Sequence, residues 1–185
     1  MKLFWKLSLP QMILVPTLGI ISYFLISSCF VAIQQQNLDY VINDTFSSIE
    51  KNIDQVSISA QETASLFAHS PEVIAAYKLA HTGDIDDAKS KESHQARAIL
   101  RKGLAPQLES YKSTTGQKLK LHFHLPNGRS LVRLWRKKQT KKNGTWVDIS
   151  DDISSFRRTV LDVNSTGAPV HGIELGRGGF VMRGI

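Results

Sequence analysis

Arg133 stands inside an apolar run, Leu131-Val132-Arg133-Leu134-Trp135. Strand alternation puts it on one face with Leu131 and Trp135, turned toward a core or a cavity. A guanidinium held in such a face needs an acceptor, because an unpaired buried charge is costly. Two partners suit it. One is a small carboxylate or other anion, gripped by paired N–H bonds with Trp135 as an aromatic wall. The other is an internal ion pair, for which Glu174 or Asp152 is available. Ligand binding is the chemistry this residue pattern could do, and a structural ion pair is its alternative. Of the histidines, only His122 and His124 stand two residues apart on one strand face, the spacing that lets two imidazoles share a metal. No third ligand is close in sequence, so solvated or hydrogen-bonded histidines are expected rather than a metal site. No Ser-His-Asp motif is present, so the chain reads as a non-enzyme, and no cofactor is implied. The run Gly176 to Gly179 lacks the lysine and following helix of a phosphate loop and reads as a tight turn.

The formal net charge is +7. Much of it sits between Arg129 and Lys142, where Arg129, Arg133, Arg136, Lys137, Lys138, Lys141 and Lys142 occur with no acid. A nucleic-acid surface is one reading of such a stretch. The expected location outside the cytoplasm argues against it and favours a solvated loop, or contact with anionic lipid or cell-wall polymer.

That location follows from the N-terminus. No charged residue lies between Leu7 and Leu38, and Lys2 and Lys6 precede the run. The most apolar part, about 12–33, exceeds the ~20 residues of one bilayer crossing. The basic flank sets its N-terminal end inside. The expected layout is a cytoplasmic 1–9, a transmembrane helix over 10–33 and an external domain over 38–185: a single-pass plasma (inner) membrane protein facing the periplasm or exterior. A cleaved signal peptide is the rival, but its apolar region is ~7–15 residues. Ile26-Ser27-Ser28-Cys29 also resembles a lipobox. Cys29 is the single cysteine, so no internal disulfide forms.

About 145 residues then remain, enough for one ordinary core. Ile42, Phe46, Ile49, Ile53, Val56, Ala60, Ala64 and Phe67 recur in steps close to 3.5. This predicts a helix continuous with the anchor, either packed on its own domain or pairing as a homodimer stalk. Ser70-Pro71 opens a short helix to about His81. A second runs from about Asp86 to Tyr111, weakened near Gly103 and Pro106. Leu119 to Leu125 and Ser130 to Arg136 form a hairpin around Pro126-Asn127-Gly128. Lys137 to Gly144 is expected as a loop, and Ser150-Asp151-Asp152 as the cap of a helix through about Asn164. A second hairpin spans Val170 to Leu175 and Phe180 to Ile185. The fold class is α+β.

The order of these elements suggests a PAS-like sensor module, and the residues go further. Leu121-His122-Phe123-His124-Leu125-Pro126-Asn127-Gly128-Arg129-Ser130 with Val132-Arg133-Leu134 resembles the first hairpin of the double Cache sensor family. Asp151-Asp152-Ile153-Ser154-Ser155-Phe156-Arg157 and Gly172 to Phe180, then Arg183-Gly184-Ile185, resemble two further blocks of it. That family forms the extracytoplasmic part of bacterial chemotaxis receptors, sensor histidine kinases and diguanylate cyclases. The resemblance implies a PAS-like antiparallel sheet with flanking helices and a small-molecule ligand. It adds Arg157, Glu174 and Arg183 to Arg133 and Trp135 as candidate ligand-binding residues, although Glu174 and Arg183 equally suit a cross-strand structural pair. The chain ends where family members continue, so only a membrane-distal module, incomplete at its C-terminal edge, is expected.

Overall fold

The computed structural model describes residues 2–176 and 179–185, with side chains from Ser8 onward except Leu9. The expected turn at 176–179 lies partly outside the described residues, as do the side chains of Lys2 and Lys6. The chain forms two units, one up to Lys51 and one over Asn52–Ile185.

Helix α1, Lys2–Ala68, runs from the first unit into the second. Within the first unit it holds an 18-residue window of mean hydropathy 2.0, none of it buried. That is long and apolar enough to cross a membrane. Pro10 and Pro16 lie inside the helix. Ile42, Phe46 and Ile49 are exposed. In the second unit Val56 is exposed too, while Ser57 is fully buried and Phe67 packs against the core.

The second unit opens with α2, Pro71–Ala80, started by proline after Ser70. The expected second helix is two: α3, Lys91–Gly103, and α4, Ala105–Thr115. Gly103 and Pro106 mark the break, because glycine destabilises a helix interior and proline fits best in a first turn. Residues 86–90 are turn rather than helix, since Ser90 accepts from the Ser93 N–H and so starts α3 later. Ala76, Ala80, Ala96, Leu100 and Leu104 from these helices close on Leu125, Leu131 and Val132, all but excluded from solvent. Leu100 is fully buried in this cluster. Leu100→Ala is expected to cost about 2–5 kcal/mol, the range for emptying a packed leucine site. A urea titration of the full chain in mild detergent reads it.

Strand β1, His122–His124, pairs antiparallel with β2, Ser130–Arg133. The turn between them is closed by Gly128 N–H donating to Leu125 O, with Gly128 at φ +78°, a value that favours glycine. Both strands are shorter than expected; Leu121 joins only through its carbonyl, which accepts from Leu134 N–H. The expected loop over 137–144 is instead a second small hairpin, β3 (Thr140–Lys142) with β4 (Thr145–Val147). Asn143-Gly144, both at positive φ, makes its turn, a signal that the lysines obscured. The helix expected from Ser150 begins later. A 3-10 turn at Ser154–Phe156 precedes α5, Arg158–Thr166. Ser150 is buried and receives Arg97, while Asp152 accepts from the Ser154 N–H. The last hairpin, β5 (His171–Gly176) with β6 (Gly179–Gly184), matches expectation. The three strand pairs stay separate two-stranded sheets, not one continuous sheet.

Candidate functional site

Arg133 leaves β2 nearly buried and meets Asp151: Nη1 donates to Oδ1 at 2.7 Å and Nη2 to Oδ2 at 3.1 Å. Nη1 also donates to the Gln139 carbonyl at 3.0 Å. The internal partner is therefore neither Glu174 nor Asp152. The reason is local. Residues 151–152 run beside β2, with Ser130 N–H donating to Asp151 O and a bridge between Arg129 and Asp152. Neighbouring side chains of an extended segment point opposite ways. Asp151 thus faces Arg133, and Asp152 turns to accept from Ser154.

His122 lies across the ladder from Arg133. Its ring lies tilted by 49° against that of His124, centroids 3.9 Å apart, with His124 Nε2 3.1 Å from His122 Nδ1. His122 Nε2 bonds Ser130 Oγ at 2.7 Å, and Trp135 stands edge-on to His122 at 5.7 Å. The pair is thus hydrogen-bonded, as expected. Among the described residues, no group of three His, Cys, Asp or Glu forms around it. Burial pushes both imidazoles toward neutrality. The charges of Arg133, Arg157 and Arg183 press in the same direction, and His124 falls to about 3.

The second half of the site comes from the last hairpin. Glu174 of β5 accepts from Arg157 Nη1 at 2.9 Å and from the Thr159 N–H and hydroxyl at 3.1 and 2.9 Å. It therefore caps α5 from a strand. Arg183 Nε of β6 lies 3.3 Å from the same carboxylate. Burial pushes the Glu174 carboxyl up, but the bonds from Thr159 and Arg157 and the charge of Arg183 outweigh it and hold it below the usual range. Arg157 also lies over the Phe156 ring at 5.2 Å. The structure therefore gathers Arg157, Glu174 and Arg183 into one cluster, and Arg133 and Trp135 into a second around the histidines. The fields of all three arginines reach the histidine pair.

Sequence reasoning missed Asp151, Gln139 and Thr159. It also missed a third cluster, where Arg101 grips Asp148 through two bonds of 2.9 and 2.7 Å beside buried Arg97. Nothing in local spacing marks a partner roughly 50 positions away. A cavity of about 350 Å³ is lined by Arg129, Thr140, Lys141, Lys142, Asp151 and Asp152, among others. The basic stretch thus contributes three cations to a concave surface that includes Asp151.

Acid should weaken this unit in two stages. Histidines with depressed folded pKa refuse protons that the unfolded chain accepts below about pH 6.5, so stability falls as pH falls from there. Depressed carboxylates, Glu174 and Asp148, add the same sign below about pH 4. Urea unfolding across pH is expected to be flat above about pH 7 and to decline from about 6.5 downward. A His122→Asn, His124→Asn double variant should delay the decline to the carboxylate range.

A family model described as a double sensory domain of two-component sensor kinase, dCache_3, matches residues 35–185. The chain belongs to the double Cache sensory family. No curated protein and no solved structure matches it. As a double Cache chain it carries a sensory, non-catalytic module, and the blocks singled out in the sequence all fall inside the match. Its α+β composition and apolar N-terminal helix agree with a sensor carried on a single-pass membrane anchor.

Proposed function

We propose that the chain is the ligand-sensing, extracytoplasmic part of a bacterial transmembrane receptor, of chemoreceptor or sensor-kinase type, whose PAS-like module takes a small anion. The carrying observation is a charge imbalance. Among the described residues of the two clusters, Arg133, Arg136, Arg157 and Arg183 face only the carboxylates of Asp151 and Glu174. The basic flank at Lys2 and Lys6 supports a cytoplasmic N-terminus, with the domain periplasmic or extracellular. Exposed Ile42, Phe46 and Ile49 support a homodimer through α1. Ligand would favour one of two arrangements of the module, and the displaced helix would carry the signal. No nucleic acid partner is proposed.

A calorimetric screen of small molecules on the full chain in nanodiscs tests this. Saturable binding of any one class supports a sensor, and a folded chain that binds none overturns it. The exposed stripe favours a second reading, a non-sensory module that dimerises. That reading wins if Ile42→Asp with Ile49→Asp abolishes function while Arg133→Ala leaves it intact.

A further inference from the structure

The β3–β4 hairpin and the residues leading into it carry charge that the fold does not answer. Arg136, Lys137, Lys138, Lys141 and Lys142 are all exposed. Among the described residues, none of the five forms an ion pair. The acids that follow in the chain are engaged elsewhere. Asp148 is held by Arg97 and Arg101, Asp151 by Arg133, and Asp152 by the N–H and hydroxyl of Ser154. Exposed lysines alone make an ordinary solvated face. Two further observations set this one apart.

The first is an aromatic side chain. Trp146 pairs with Lys141 across the ladder and is 43% exposed. The Arg136 guanidinium lies over its ring at 5.3 Å and over that of Trp135 at 5.8 Å. A cation thus backs the Trp146 ring, which is still open to solvent. The second is a hollow. Lys141, Lys142, Arg129 and Thr140 line the cavity of about 350 Å³. Asp151 and Asp152 line it too, but Asp151 is neutralised by Arg133. Three cations therefore stand against Asp152 alone.

The residue types name the partner. Lysine is a compact point charge that suits phosphate, whereas the planar fork of arginine suits carboxylate. Arg136 is already occupied by two rings and the Gln139 carbonyl, so lysines dominate the free charge. A bilayer fits poorly. Over residues 112–160 Trp146 is the one exposed large apolar side chain among those described, and an interfacial surface presents several. A sugar ring fits better, since it offers Trp146 an apolar C–H face and keeps its hydroxyls in water.

We propose that the β3–β4 hairpin docks a phosphate-bearing sugar polymer, with one phosphate seated in the cavity by Arg129, Lys141 and Lys142 and a sugar ring on Trp146. The surface borders the arginine clusters at Arg136 and Asp151 but needs no ligand in them. The proposal therefore goes beyond the sensor reading and does not rest on it.

The test uses the full chain in nanodiscs of phosphatidylcholine, which carries no net charge, with phosphorylated dextran as probe. It is expected to bind saturably, to shift tryptophan emission, and to weaken as salt is raised. Neutral dextran should not bind, and inorganic polyphosphate and carboxymethyl dextran should bind more weakly. Lys141→Gln with Lys142→Gln should cost about tenfold or more in affinity, the worth of a charge-assisted bond. Trp146→Ala should cost about fivefold, and Trp146→Tyr little. Lys118→Gln with Lys120→Gln removes the same charge from another exposed stretch and should change nothing. Urea midpoints check that each variant folds; if Trp146→Ala does not, the two lysine pairs decide. Equal losses from the two lysine pairs overturn the proposal, as does equal binding of polyphosphate, carboxymethyl dextran, polyglutamate or an oligonucleotide. So does the absence of any binding. Nanodiscs with phosphatidylglycerol that protect the hairpin amides and displace the polymer would assign the surface to lipid and overturn it as well.

Discussion

Glu174→Ala is expected to lower the unfolding free energy by about 3–5 kcal/mol, the cost of stripping one partner from a buried ion pair. Three groups lose their acceptor together: the Arg157 guanidinium, the Thr159 hydroxyl and the Thr159 N–H at the start of α5. Arg183 loses its only nearby counter-charge among the described residues. The side chain is 9% exposed, so water cannot readily replace the lost acceptor. Glu174→Gln should cost less, because an amide oxygen still accepts from Thr159 while the charge is gone. Equilibrium urea unfolding of both variants in detergent separates the two contributions. A loss under about 1 kcal/mol for Glu174→Ala, the usual worth of an exposed pair, would show that the cluster is wet.

Gly184→Val is expected to be comparably severe, about 3 kcal/mol, at the upper end of overpacking costs. Its φ lies outside the left-handed region, so the effect is steric rather than conformational. The obstacle is the main chain of α1 at Ala60 and Gln61, which cannot rotate away as a side-chain tip could. The hairpin end must lift, and the bonds from His171 to Gln61 and Asp54 go with it. Amide exchange should then speed up at Val170 and Ile185, which exchange two backbone bonds next to the contact. Unchanged exchange there would mean that the hairpin end tolerates a side chain.

The two variants act on different ends of one hairpin, so their costs need not add. Glu174 and Gly184 share neither a partner nor a contact, but both position β6. A combined loss well below the sum would show that the hairpin leaves as a unit once either end is freed.

Much of the architecture was legible because its signals are local. An uncharged run longer than a bilayer is thick, a proline behind a serine and the Asn127-Gly128 turn each need only a few neighbouring residues. The helix break at Gly103 and Pro106 could be read for the same reason. The second small hairpin was not legible. Its Asn143-Gly144 turn was outweighed by four lysines, whose charge says nothing about whether a backbone pairs. The late start of α5 was missed because Ser150 looks like a cap in sequence, yet it is buried by Arg97, 53 positions away.

The residue types at the site were likewise present in the sequence, and their partners were not. Composition and spacing alone determined that the chain has an apolar N-terminal helix, a mixed α+β body and an arginine that needs an anion. Which carboxylate answers Arg133, which residues Glu174 serves, and which glycine touches α1 were decided only in three dimensions. Ion pairing depends on which side chain of an extended segment faces inward, and that facing is set by backbone bonds between segments far apart in the chain. Glu174 serves Arg157, Thr159 and Arg183 at once only because the last hairpin and the start of α5 meet there.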